Sequence, residues 1–219
     1  MPRMARIVVP GFPHHITQRG IRGHRTFFNA SDCLIYLEIL KELLPKTGVA
    51  IWTYCLMPNH VHFVAVPSDE RGLAALFRPL HSQYAKRINA AHGWRGHLWQ
   101  ERFYSVVMDE PHTLAAMRYV EQNPVRAGLC GRPDQWRWSS IHANLAGRTD
   151  GIVDTRATRK VVSNWHEYTG SPVSAELQDS LRKCTRNGRP AGSSKFIDDV
   201  EASIGKRVRK RKPGRSKDN

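Results

Sequence analysis

The sequence contains no run of eighteen or more apolar residues, which excludes a membrane-spanning helix of ordinary length. Its four cysteines, Cys33, Cys55, Cys130 and Cys184, form no Cys-x-x-Cys pair, so a structural zinc site is not expected. Cys33 and Cys55 stand among apolar neighbours and read as small core residues, consistent with a reducing compartment. No internal repeat is visible. The opening stretch MPRMARIVVPGFPHH has two arginines and a short apolar run that Pro10 and Pro13 cut below the length of a signal-peptide core. It also lacks the serine and helical pattern of a transit peptide. An intracellular, cytoplasmic protein is therefore expected. Acidic residues are scarce too: 19 Asp and Glu face 34 Lys and Arg, giving a net charge of +15 and a pI near 10.2. A field of that sign attracts polyanions, and nucleic acid is the leading candidate because each neutralised phosphate releases counterions. Anionic membrane surfaces and ribosomes are weaker alternatives on charge alone.

What is present is a chain of 219 residues, 40% hydrophobic, enough for one domain with a core and an appended segment. A first strand is expected within residues 7–20, followed by a Gly/Arg/Asn-rich loop. Asn29 or Ser31 is placed to cap a helix beginning near Asp32, whose apolar face runs through Leu34, Ile35, Leu37, Ile39, Leu40, Leu43 and Leu44 until Pro45 and Gly48 end it. Two strand-like runs, VAIWTYCLM and HVHFVAV, flank a tight Met57-Pro58-Asn59 connection. A second helix is expected over residues 72–91, a fourth strand near residues 103–108, and a third helix entered at Pro111 and stopped at Asn123 by Pro124. The order strand, helix, strand, strand, helix, strand is that of an α+β, ferredoxin-like split βαβ antiparallel sheet with helices on one face. A C-terminal extension with short helices should follow from 146 to 205, with Trp136, Trp138 and Trp165 folding back on the domain. A basic tail at 206–219 reads as disordered until it meets an anion.

Two features carry chemistry. His60 and His62 lie two apart on a strand, so both rings point to one face, with Cα atoms about 7 Å apart and within reach of one cation. Val61, Phe63 and Val64 make the strand a core strand, with little packing reason for two same-face imidazoles. A third ligand is needed, and Asn123 is a candidate because it lies four residues after Tyr119 and would share its helix face. A helix laid across the sheet would then set a phenol and an amide over the histidines. Spacing alone does not choose Tyr119 over Tyr36, Tyr54, Tyr84, Tyr104 or Tyr168.

The segments Met57-Pro58-Asn59-His60-Val61-His62 and Tyr119-Val120-Glu121-Gln122-Asn123-Pro124-Val125-Arg126-Ala127-Gly128 resemble the REP-associated tyrosine transposases of the single-tyrosine HUH superfamily. The resemblance extends to His15-Ile16-Thr17-Gln18-Arg19-Gly20, to residues 96–103 and to Trp138-Ser139-Ser140, in the family's order over residues 3–145, taken here as domain 1–145. Thr185-Arg186-Asn187-Gly188-Arg189-Pro190 and Phe196-Ile197 resemble the extended C-terminal region of some members. It implies a metal-dependent single-stranded DNA endonuclease that cleaves and rejoins DNA beside hairpin repeats through a 5′-phosphotyrosine. By position, His60 and His62 match the HUH pair, Tyr119 the nucleophile, and Asn123 a third, amide ligand that is glutamine in related transposases. The implied cofactor is a divalent metal, Mg²⁺ or Mn²⁺; the implied partner is hairpin-bearing single-stranded DNA, met by a monomer or homodimer in the bacterial cytoplasm, at the nucleoid.

The chemistry suits these parts. A divalent cation offsets the negative oxygens of a phosphodiester. Phenol ionises near pH 10, so a tyrosine nucleophile gains from a neighbouring cation such as Arg118 or Arg126. For DNA binding, Arg19, Arg22 and Arg25 line the loop after the first strand, and Trp94, Arg95 and Arg102 interleave aromatic and basic types as single-strand binders do. Trp99 is expected in the core. Arg126 and the tail residues Arg207, Arg209, Lys210, Arg211 and Lys212 complete the set of phosphate contacts. Two other functions stay open at this level: a DNA-binding protein without strand transfer, and a non-covalent phosphodiesterase. For the latter, His15-Ile16-Thr17 offers one half of a paired His-x-Thr motif and the second half is missing.

Overall fold

A computed structural model describes residues 6–171 and 173–209. Four strands, β1 (His14–Arg19), β2 (Val49–Met57), β3 (His60–Pro67) and β4 (Tyr104–Val107), form an antiparallel sheet in the order β2-β3-β1-β4. Helix α1 (Ala30–Leu43) joins β1 to β2 and helix α2 (Gly72–His92) joins β3 to β4, which is the ferredoxin-like order expected from the sequence. α1 starts where it does because Asn29 and Asp32 form a reciprocal capping box: Asp32 N–H donates to Asn29 Oδ1 at 3.0 Å and Asn29 N–H to Asp32 Oδ2 at 3.2 Å.

Strand alternation divides the core. Ile16, Val61, Phe63 and Ala65 pack with Tyr36, Leu40, Leu73, Phe77 and Tyr84 of α1 and α2 on one face. The opposite face, which the bare split βαβ motif leaves open, is covered by α3 (Glu110–Glu121) and by the extension. There Cys55, Val64 and Val106 meet Ala116, Met117 and Val120 of α3, together with Trp165 and Leu181. Asp109 caps α3 through His112 N–H at 3.1 Å, with Pro111 in its first turn as expected. The helix closes at Glu121, and a separate short helix, α4 (Asn123–Arg126), follows.

α5 (Ile141–Ala146) lies at the end of the domain expected over 1–145, and the extension contains α6 (Thr155–Val161), α7 (Trp165–Gly170), α8 (Ala175–Asn187) and α9 (Ser194–Ile204). Residues 138–140 pair with one sheet edge and the extension with the other. Leu56 N–H donates to Trp138 C=O and Ser140 N–H to Tyr54 C=O beside β2, while Ala191 N–H donates to Val107 C=O beside β4. Pairing these edges removes the open hydrogen-bonding rows at which sheets aggregate. The basic segment expected as a tail is anchored at its start: Val208 is buried against Phe196 and Val200, and Arg209 pairs with Asp198 and Glu201. Lys210, Arg211 and Lys212 lie outside the described residues. All four cysteines are free thiols.

Candidate active site

Register brings the site together on the α3 face of the sheet. Arg19 pairs with His60 and Thr17 with His62 across β1 and β3, so His15, Thr17 and Arg19 share a face with His60 and His62. Tyr119 descends from α3 onto this face, its ring centroid 5.7 Å from that of His62 and 6.2 Å from that of His15, both edge-on. His60 and His62 have ring centroids 4.8 Å apart. These side chains, with Gln18, Gln100, Tyr104, Leu181, Arg182 and Thr185, line a cavity of about 330 Å³.

Burial and the surrounding guanidinium groups keep the imidazoles neutral. Burial holds His15 down to about 4, and burial with the nearby Arg19 holds His60 down to about 4. His62 lies well below its ordinary value, through burial first and then His60, His15, Arg126 and Arg19. Neutral imidazoles offer lone pairs at physiological pH without first losing a proton. His60 Nδ1 lies 2.5 Å from Asn59 Oδ1, an acceptor, so Nδ1 carries the proton and Nε2 the lone pair. Asn59 Nδ2 in turn donates to Gly23 C=O at 3.0 Å, tying this histidine to the arginine-bearing loop. That loop is tight: Gly20 N–H donates to Asn59 C=O, and a Cβ at Gly20 would sit 2.3 Å from the His24 carbonyl oxygen.

Of six tyrosines, four are committed elsewhere. Tyr36 OH pairs with His81, and Tyr54, Tyr84 and Tyr168 donate to Asp150 Oδ2, Thr26 C=O and Leu114 C=O. Burial pushes all four hydroxyls above their ordinary value, with the Asp150 charge adding to Tyr54. Tyr119 and Tyr104 are the two that reach the cavity. Tyr104 OH donates to Glu101 Oε2 at 3.1 Å, whereas the Arg126 guanidinium carbon stands 4.2 Å from the centroid of the Tyr119 ring. Arg118 stacks on the Tyr168 ring, 4.4 Å from its centroid.

The residues present fit a divalent cation in part. Two neutral imidazoles share a face, and His60 has its Nε2 lone pair exposed by the Asn59 bond. Among the described residues, no group of three or more His, Cys, Asp or Glu side chains is arranged to hold a metal. A third protein donor would therefore be an amide or hydroxyl. Asn123 is buried at the start of α4, with no hydrogen-bond partner for its Nδ2, and is not among the residues lining the cavity. Gln122 does not line the cavity, and its Nε2 donates to the Thr169 and Ser171 carbonyls at 2.7 and 3.0 Å.

The basic residues spread along connected grooves. Gln18 and Gln100 line both the tyrosine cavity and a larger groove with Arg6, Arg78, Lys86 and Arg102. Asn89, His97 and Leu98 line that groove and a third hollow holding Arg25, Trp94 and Arg95. Trp94 is 48% exposed and stacks on His92 with centroids 4.4 Å apart, whereas Trp99 is buried and its Nε1–H donates to His81 C=O. Arg22 is exposed with a left-handed φ of 52°. Arg207 is exposed and distant in sequence from this surface, and Arg209 is held by its acidic partners. Sequence reasoning missed Asn59, which precedes the histidine pair, and Thr185, which the chain brings to His15 from 170 residues away.

Residues 15–123 match the family described as transposase, IS200-like. The chain is 24% identical over 115 residues to a Haemophilus influenzae protein described as a REP-associated tyrosine transposase, across 48% of this chain and 64% of that one. It is 22% identical over 90 residues to the ISDra2 transposase TnpA of Deinococcus radiodurans, across 38% of this chain and 64% of that one. The chain thus spans less than two thirds of the length of either curated relative. In three dimensions it is similar to a REP-associated tyrosine transposase solved bound to a REP hairpin, with a TM-score of 0.57, 18% identity, and coverage of 71% of this chain and 90% of that one. No described helix is long and apolar enough to cross a membrane. The domain over residues 15–123 belongs to the IS200-like transposase family.

Proposed function

We propose that this chain is a transposase that cleaves and rejoins single-stranded DNA beside a hairpin, with Tyr119 as nucleophile. The observation that carries the reading is the meeting of Tyr119 with His60 and His62 in one cavity, delivered by a helix and a strand remote in sequence. The Tyr119 oxygen attacks phosphorus, an O–P bond to the 5′ side forms, and the strand's 3′-oxygen leaves. Reversal by a 3′-hydroxyl reseals the strand and frees the tyrosine, so no nucleotide cofactor is consumed. The REP hairpin in the similar solved structure supports a hairpin as the DNA partner.

Nε2 of His60 and of His62 would hold Mg²⁺ or Mn²⁺, with the Asn123 amide proposed as third ligand. A cation there would polarise the scissile phosphate and offset developing charge. No Asp or Glu lines the cavity, so the cation's charge is left for the phosphate to balance. The arginines of the connected grooves hold phosphates, and Trp94 offers a face for a base. Incubating the protein with a hairpin that carries a single-stranded flank tests this. Tyr119→Phe should bind the DNA with wild-type affinity and form neither nick nor adduct; a nick by this variant would remove Tyr119 from the role.

A further inference from the structure

We propose that Thr185 and His15 form a hydrogen-bond relay from α8 that fixes the proton of His62 on Nδ1 and leaves its Nε2 as the free lone pair. His15 Nε2 lies 3.0 Å from His62 Nδ1, and the two rings are coplanar to within 1°. Their centroids are 5.2 Å apart, only 2.2 Å more than the nitrogen separation, so the rings meet edge to edge with the bond along the line of centres. A bond between two neutral imidazoles has one donor and one acceptor. Which ring donates decides which nitrogen of His62 stays bare.

The other end of His15 settles the direction. His15 Nδ1 lies 3.3 Å from Thr185 Oγ1, and Thr185 Oγ1 donates to Leu181 C=O at 2.7 Å. A hydroxyl has one proton, and the shorter bond takes it because a carbonyl oxygen can only accept. Thr185 therefore accepts from His15 Nδ1–H. His15 Nε2 is then the lone-pair nitrogen, His62 Nδ1–H donates to it, and His62 Nε2 carries no proton. Had Thr185 donated to His15, every bond in the chain would invert and His62 Nε2 would bear a hydrogen that blocks coordination. Such outer partners commonly set the tautomer and basicity of a ligating histidine. Here the partner comes from α8, beyond the segment 15–123 that matches the family.

The consequence for metal binding rests on the proposed role of His62, but the relay itself does not. Histidine ¹⁵N NMR on the metal-free full chain should show His62 protonated at Nδ1 and His15 at Nδ1. Thr185→Val should let His15 populate both tautomers and weaken Mn²⁺ binding about 10-fold or more, whereas Thr185→Ser should stay close to wild type. A wild-type His62 protonated at Nε2 overturns the relay whatever the metal does. So does a Thr185→Val protein with unchanged tautomers and unchanged Mn²⁺ affinity. If the wild type shows the Nδ1 tautomer yet binds no Mn²⁺, the relay stands and the metal reading falls.

Discussion

Arg126 offers the sharpest handle on Tyr119, the proposed nucleophile. Its guanidinium carbon sits 4.2 Å from the centre of the Tyr119 ring, on an exposed side chain over a half-buried phenol. A contact of this kind contributes about 0.5–1 kcal/mol at exposed sites and about 2 when desolvated. Arg126→Gln removes both the stacking and the charge. If the stack holds the ring in attacking position, single-turnover adduct formation should slow roughly two- to thirtyfold, since about 1.4 kcal/mol is a factor of ten. If the guanidinium also neutralises a phosphate, the slope of log affinity against log salt should fall by about 0.7. Arg126→Lys separates the two effects: the charge persists without the planar face, so the salt slope should return while the rate recovers only in part. Rates of adduct formation and binding affinities across a KCl series read both quantities. A rate for Arg126→Gln within twofold of wild type, together with an unchanged slope, would mean that Arg126 neither positions Tyr119 nor meets a phosphate.

Two further outcomes follow from other parts of the structure. Because the cavity is lined by neutral imidazoles and guanidinium groups without a carboxylate, Mn²⁺ should bind weakly alone and at least tenfold more tightly with cleavage-resistant hairpin DNA, and the DNA should tighten equally with Mn²⁺; calorimetry giving equal Mn²⁺ affinities with and without DNA contradicts this. Burial lowers His14 to about 4 and His81 to about 3, with the Phe12 carbonyl opposing at His14 and Arg6 adding at His81. The folded pKa values lie below the unfolded ones, so the stability they contribute is complete above about pH 6.5 and is lost as pH falls toward the folded values. Protonating His14 also breaks the bond that its Nε2 accepts from Val9 N–H at 3.2 Å. Between pH 7 and 5 each should remove about 2 kcal/mol, visible as a drop in the urea midpoint; a flat midpoint over that interval would mean these rings are not buried neutral.

Much of the fold was legible because its long elements follow simple periods. Asn29 and Asp32 announce α1, and Pro58-Asn59 separates β2 from β3, whose alternation puts His60 and His62 on one face. Short helices were expected somewhere over residues 146–205, but the bounds of α6 and α7 were not legible, since one or two turns leave no periodic stripe and depend on the caps Asp154 and Asn164 and on tertiary packing. Nor was the pairing of Trp138–Ser140 and Ala191 with the sheet edges, which rests on isolated bridges. At the site, six tyrosines looked alike because what separates them is the burial and bonding that the fold imposes on Tyr36, Tyr54, Tyr84 and Tyr168. Tyr119 and Asn123 were read as one helix face; α3 closes at Glu121, so Asn123 begins a new helix and its direction is not set by the Tyr119 turn. Thr185 could not be found from local pattern, because only the docking of α8 on α3 brings it to His15.

Tyr119 is the residue proposed to take the DNA. Tyr104 lines the same cavity and is 39% exposed, so the covalent residue must be located and not merely detected. Trapping the adduct on a hairpin with a single-stranded flank, digesting it with nuclease and protease, and sequencing the peptides by mass spectrometry does this. The expected product is a nucleotide linked through its 5′-phosphate to the peptide containing Tyr119. A nucleotide on Tyr104, or DNA cleavage with no modified tyrosine at all, would contradict it.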